Sequence, residues 1–215
     1  MTQPPCQLYL ISPLEVGDPF PDRLARALDT GAVAAFQFRV KGLDDHAAAT
    51  LAEPLRRICA DRDCSFIVND SIALAKRLGA DGVHLGQSDG IVAEARETLG
   101  RETQIGVTCH ASRHMALEAG EAGADYVAFG AFFDSPTKPS EHRPDVDILE
   151  WWQTFFELPC VAIGGITPEN CAPLVRAGAD FLAVSHAVWG PRYGAGAGSD
   201  EAAAVAAFQR AIAEA

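Results

Sequence analysis

The 215-residue sequence predicts an α/β fold, a single (β/α)8 TIM barrel that occupies residues 1–215 as one domain. Three observations lead there. Short apolar runs of strand length alternate with helical patterns eight times over, which indicates a parallel sheet closed on itself. One phrase recurs four times: Asp29-Thr-Gly-Ala-Val-Ala-Ala-Phe, Arg77-Leu-Gly-Ala-Asp-Gly-Val-His, Glu121-Ala-Gly-Ala-Asp-Tyr-Val-Ala and Arg176-Ala-Gly-Ala-Asp-Phe-Leu-Ala. In each, a helix-like stretch stops at a glycine suited to the left-handed position past a helix, and an apolar strand follows. Finally, polar side chains collect just after the apolar runs, the ends that converge on the mouth of such a barrel.

The elements follow in order. Residues 8–11 form the first strand and 21–28 the first helix. The second strand runs from Gly31 through Phe36 into Gln37-Phe38-Arg39-Val40-Lys41, where period-2 alternation sets Gln37, Arg39 and Lys41 on one face. A helix over 47–60 leads to a strand at 66–68, which delivers Asn69-Asp70. A helix over 72–78 precedes the fourth strand, with His84, Gln87 and Asp89 at its end. The fifth, 105–107, gives Thr108 and His110 and then a helix over 112–119. The sixth leads to Ser135, Thr137 and Lys138, before a helix over 148–156. The seventh, 161–163, runs into Gly164-Gly165 and a helix over 168–177 capped by Thr167. The eighth, 181–184, ends at Ser185-His186. A last helix carries Val205, Phe208 and Ile212 on one face, suited to pack on the barrel exterior. The alternative, an open doubly wound sheet, normally shows Gly-x-Gly-x-x-Gly after the first strand, and Ile11-Ser-Pro-Leu-Glu-Val-Gly lacks it.

A formal charge of -12 and a pI near 4.8 exclude a broad basic footprint for nucleic acid or an acidic membrane, so any anionic ligand must be met locally. The six cysteines show neither Cys-x-x-Cys pairs nor zinc-like histidine spacing, as expected of reduced thiols in or beside a core. With no basic and apolar leader and no apolar run of membrane-span length, the sequence reads as cytoplasmic.

Two cations and an amide on one face of a mostly buried strand are costly unless something anionic meets them. Two carboxylates one strand apart, Asp70 and Asp89, opposite Arg39 and the two lysines, suit a magnesium and diphosphate site, since Mg²⁺ is held by one or two carboxylates plus phosphate oxygens. Taken singly, Asp70 also fits a helix cap and Ser88-Asp89-Gly90 a capping turn. Gly164-Gly165 with Ser185 matches the phosphate site that barrels build from their last two strand-helix loops. His84, inside an apolar strand, reads as a hydrogen-bonded core residue; His110, beyond its strand, has the better claim to the pocket. Trp151-Trp152 and Phe155-Phe156 pair at i,i+4 spacing, for core packing first and a homodimer interface second.

At this point the sequence resembles a known family. Gln37-Phe-Arg-Val-Lys41, Val68-Asn-Asp70, Asp81-Gly-Val-His-Leu-Gly-Gln-Ser-Asp89, Gly106-Val-Thr-Cys-His110, Ser135-Pro-Thr-Lys138, Ile163-Gly-Gly-Ile166 and Val184-Ser185 are similar, in order, to the motifs of the thiamine-phosphate synthases and their relative, the thiazole tautomerase. The resemblance covers essentially the whole chain. It implies a Mg²⁺-dependent transferase that joins hydroxymethylpyrimidine diphosphate to thiazole phosphate and releases pyrophosphate. It further implies that Arg39, Lys41, Asn69 and Lys138 hold the diphosphate, Asp70 and Asp89 the metal, and Gln37 the pyrimidine. Ser135, Thr137, Gly165 and Ser185 would hold the thiazole phosphate, with Thr108 in place of a family serine beside the reacting pyrimidine. On the same footing Arg39, Lys41, Thr108 and Lys138 would act in catalysis. Two departures stand out: Ser71 where the synthases carry Arg, and Asp134, a negative charge beside a phosphate site. A tautomerase using His110 as acid or base, and a non-catalytic binder of thiamine phosphates, are the alternatives.

Overall fold

Each strand pairs in parallel with its sequence neighbour, and the first closes on the eighth, so the sheet has no open edge. The computed structural model describes residues 5–135, 143–190 and 200–215. The strands are β1 (Gln7–Ile11), β2 (Val33–Phe38), β3 (Ser65–Asn69), β4 (Gly82–Leu85), β5 (Gln104–His110), β6 (Tyr126–Gly130), β7 (Cys160–Ile163) and β8 (Phe181–Val184). Around them lie α1 (Phe20–Leu28), α2 (Asp45–Ala60), α3 (Ile72–Leu78), α4 (Val92–Leu99), α5 (Arg113–Glu121), α6 (Asp147–Phe155), α7 (Ala172–Arg176), the short α8 (His186–Trp189) and α9 (Glu201–Ala213). This is the expected (β/α)8 barrel, and closure rules out the open-sheet alternative.

Alternation along the strands divides the apolar residues between two cores. Leu8, Leu10, Phe36, Phe38, Phe66 and Phe129 face outward under the helices, whereas Tyr9, Ile11, Ile67, Tyr126, Val161 and Ala183 fill the barrel interior. Four of the helix starts follow capping chemistry. Asp44, Ser71, Ser112 and Asp200 each accept a hydrogen bond from a first-turn amide of the helix they open.

The recurring phrase has two structural uses. Gly31, Gly79, Gly123 and Gly178 all take positive φ, from 57° to 94°, as the turn from helix to strand requires. The aspartate that follows in three of the four copies does more. Asp81 accepts from the Phe66 amide at 2.7 Å, Asp125 from that of Ile105 at 2.7 Å and Asp180 from that of Cys160 at 2.8 Å. Each ties the turn to the start of the preceding strand.

One helix expectation fails. Thr167 is not a cap and no helix starts at Pro168, because Asn170 takes over the local hydrogen bonds. Its side chain accepts from the Thr167 amide at 2.8 Å and donates to the Gly165 carbonyl at 3.0 Å, and α7 begins only at Ala172. The final helix packs on the exterior as expected, against α1, and brings a buried charge with it. Glu201, fully buried, accepts from Arg23 at 2.6 Å and Arg26 at 3.0 Å. Trp152 is buried and stacks on Phe156, its ring 4.3 Å away, whereas Phe155 stays 66% exposed.

Candidate active site

At the carboxyl ends of the strands lies a cavity of about 490 Å³. Its lining includes Gln37, Arg39, Asn69, Thr108, Ser135, Gly165 and Ser185, which gathers most of the residues singled out from the sequence. Thr137 and Lys138 lie outside the described residues.

The wall formed by β2 depends on β1. Gln37 points into the barrel and is only 3% exposed. Beyond it, the Ser12 hydroxyl accepts from the Arg39 amide at 2.8 Å and donates to the Arg39 carbonyl at 3.1 Å, clamping the chain where the strand ends. The Arg39 guanidinium lines the cavity with no ion-pair partner among the described residues, so a half-buried cation is left facing the mouth. Lys41 behaves differently. The strand stops at Phe38, alternation lapses, and Lys41 pairs with Asp70 outside the cavity lining.

Asp70 and Asp89 follow adjacent strands, β3 and β4. Neither caps a helix: α3 is capped by Ser71 and α4 starts after Ile91. Ser71, the departure from the family pattern, thus has a structural task in its place. Asp70 holds φ +67°, a conformation uncommon for a residue with a side chain, at a strand end where such outliers mark functional sites. Asp89 folds back so that one carboxylate oxygen accepts from the Gly86 amide at 3.0 Å. Among the described residues, the other oxygen meets only the Ser88 hydroxyl, at 3.3 Å. Two carboxylates with unused oxygen lone pairs, one already beside a lysine, form a donor set that fits Mg²⁺ together with phosphate oxygens.

Opposite, the loop after β7 presents backbone. Gly164 and Gly165 have φ of +105° and +63°, and a Cβ on Gly165 would sit 2.3 Å from the Asp134 carbonyl oxygen. Only glycine fits there, and its amide is left close to the cavity. The Ser185 hydroxyl lines the same space with no partner among the described residues. Asp134 pairs with Arg143, which offsets the negative charge that the sequence sets beside this cradle.

The floor was not foreseen from the sequence as a unit. Gln37 Nε2 donates to the Tyr9 hydroxyl at 2.9 Å, and Tyr9 and Tyr126 share a hydrogen bond of 2.9 Å. His84 Nδ1 lies 3.0 Å from the Tyr126 hydroxyl, and His84 Nε2 lies 2.8 Å from Thr108 Oγ1. Burial pushes the His84 imidazole down to about 4, so the ring is neutral, in keeping with its reading as a hydrogen-bonded core residue. Burial also raises Tyr9 to about 12, and Tyr126 well above its ordinary value. Tyr126 fits only because residue 106 is glycine: a Cβ there would lie 1.9 Å from the phenol ring. The available signal was a tyrosine inside the apolar run 8–11, facing a second at the start of a strand. His110 does reach the cavity, and so does His186.

A guanidinium with no ion-pair partner among the described residues on one side, a glycine-built cradle on the other and a polar floor define a (β/α)8 barrel with an anion-receptive mouth. Comparison with known proteins gives the family. The model of the thiamine monophosphate synthase family matches residues 8–188. The thiamine-phosphate synthase of Erythrobacter litoralis is 67% identical over 100% of this chain and 99% of its own, and that of Rhodospirillum centenum is 52% identical over 95% and 97%. The solved thiamine phosphate pyrophosphorylase from Pyrococcus furiosus superposes with a TM-score of 0.82 at 29% identity, covering 97% of this chain and 96% of that one. The chain belongs to the thiamine monophosphate synthase family.

Proposed function

We propose that the protein is a thiamine-phosphate synthase, a transferase that couples 4-amino-5-hydroxymethyl-2-methylpyrimidine diphosphate to thiazole phosphate. The observation that carries this reading is a single cavity joining Arg39, without an ion-pair partner among the described residues, to the Gly164-Gly165 and Ser185 cradle, with Gln37 and Thr108 on the floor between. Two phosphorylated substrates need two anion sites around one reaction centre. Arg39 and Asn69, with Lys41 and Lys138, would hold the diphosphate, while Gly165, Ser185, Ser135 and Thr137 would hold the thiazole phosphate. Gln37 and Thr108 would orient the pyrimidine.

In the reaction, the bond from the pyrimidine methylene to the diphosphate oxygen breaks with its electron pair on the diphosphate. The thiazole ring nitrogen then gives its lone pair to the methylene, so no general base is needed. The residues contribute position and charge complementarity rather than a covalent nucleophile. Asp70 and Asp89 would hold Mg²⁺, which when bound neutralises charge on the departing diphosphate. The same reading sets the enzyme in the cytoplasm, in keeping with the lack, among the described residues, of any helix long and apolar enough to cross a membrane. A homodimer would form over exposed Phe155 beside Trp151; sedimentation of the wild type against Phe155→Asp tests that surface.

Incubating the protein with both substrates, with and without Mg²⁺, should yield thiamine phosphate and pyrophosphate only when the metal is present. Asp70→Ala and Asp89→Ala should each require more Mg²⁺ for half-maximal rate. No product at high enzyme concentration refutes the synthase. The presence of His110 in the cavity favours a second reading, a tautomerase, which isomerisation of carboxythiazole phosphate without the pyrimidine substrate would support.

A further inference from the structure

The cavity floor links five side chains from five strands in one series: Gln37 on β2, Tyr9 on β1, Tyr126 on β6, His84 on β4 and Thr108 on β5. The direction of every bond in it follows from proton bookkeeping. Gln37 Nε2 can only donate, so the Tyr9 oxygen accepts. The Tyr9 proton then has one destination among the described residues, the Tyr126 oxygen. The Tyr126 proton likewise has one, His84 Nδ1. A neutral imidazole that accepts at Nδ1 carries its proton at Nε2 and must donate it to Thr108 Oγ1. The Thr108 hydroxyl proton is thereby excluded from the chain and left for the cavity that Thr108 lines. At the other end, Gln37 keeps its amide oxygen and one N–H for the same space.

We infer that this one-directional chain makes Tyr9, Tyr126 and His84 positioning residues, which fix Thr108 as a hydrogen-bond donor and so select an aromatic nitrogen heterocycle with an acceptor at that edge. The inference rests on the proposed function, because an aminopyrimidine is such a heterocycle: its ring nitrogen accepts and its exocyclic amine donates. Burial supports the chain by keeping His84 neutral. A charged ring would turn both nitrogens into donors and set Nδ1–H against the Tyr126 proton.

Two measurements decide it. In protein carrying ¹⁵N-histidine, with the His84 signals assigned by their loss in His84→Gln, the chain requires the Nε2–H tautomer at neutral pH. In Tyr126→Phe the bias toward that tautomer should fall. An Nδ1–H tautomer in the wild type overturns the chain, whether or not the protein turns over. In steady-state assays, Tyr126→Phe and Tyr9→Phe should each raise KM for the pyrimidine diphosphate by about tenfold, the scale of one misdirected hydrogen bond, with KM for the thiazole phosphate unchanged. Folded variants with both KM values unaltered, or raised together, overturn the positioning role. If the wild type shows no synthase activity, the tautomer still decides the chain, separately from the function it was read to serve.

Discussion

Acid should weaken this protein through His84 in a way that one substitution isolates. The imidazole is buried and its pKa falls from an ordinary 6.5 to about 4, chiefly because burial penalises the charged ring. On acidification the unfolded chain takes up the proton first. The contribution of the neutral ring to stability is therefore present above 6.5, declines as pH drops through 6.5 toward 4, and is lost below that. At roughly 1.4 kcal/mol per unit, the whole effect is about 3 kcal/mol, and about 2 kcal/mol of it is lost between pH 7 and pH 5. Urea unfolding at the two pH values, for the wild type and for His84→Gln, separates this from the carboxylates, which titrate alike in both. The wild type should lose about 2 kcal/mol more than the variant. Parallel losses would refute both the neutral buried ring and the hydrogen-bonding argument that uses it.

Three further outcomes follow from packing and charge. Gly106→Ala places a Cβ 1.9 Å from the Tyr126 ring, and should cost about 1–3 kcal/mol in urea unfolding while displacing the phenol from the floor. Gly165→Ala meets the Asp134 carbonyl at 2.3 Å from a φ of +63°, and should raise KM for the thiazole phosphate by at least about tenfold, with a smaller effect on the pyrimidine substrate. Glu201→Ala leaves Arg23 without its carboxylate in a mostly buried setting, and should cost about 3 kcal/mol, read as a lower midpoint in thermal or chemical unfolding.

Much of the barrel was legible because its signals are local. The glycine turns and the period-2 alternation each act over a few residues, and such rules survive folding. The mouth was legible where a side chain sits at or near the carboxyl end of its strand, as Asn69, Thr108 and Ser185 do. Distant partners decided the rest. Lys41 left the expected face once its strand ended at Phe38 and Asp70 was within reach. Asn170 displaced the start of α7 by serving two backbone groups of its own loop. Tyr9 and Tyr126 stand 117 positions apart, and no spacing rule joins residues that only barrel closure brings together.

The aspartates under the strands show how such a mouth is kept in phase. A parallel strand that slipped by one residue would turn its interior side chains outward, carrying His84, for example, off the floor. Asp81, Asp125 and Asp180 each pin a turn to an amide at the start of the preceding strand, and so set β4, β6 and β8 against β3, β5 and β7 from below. The copy of the phrase that precedes β2 has no such aspartate, so this device serves three of the strand pairs and not the second strand. Alignment of the reactive end is thus held in part by carboxylates at the far end of the barrel, and part of the chain's acidity serves registration rather than any ligand.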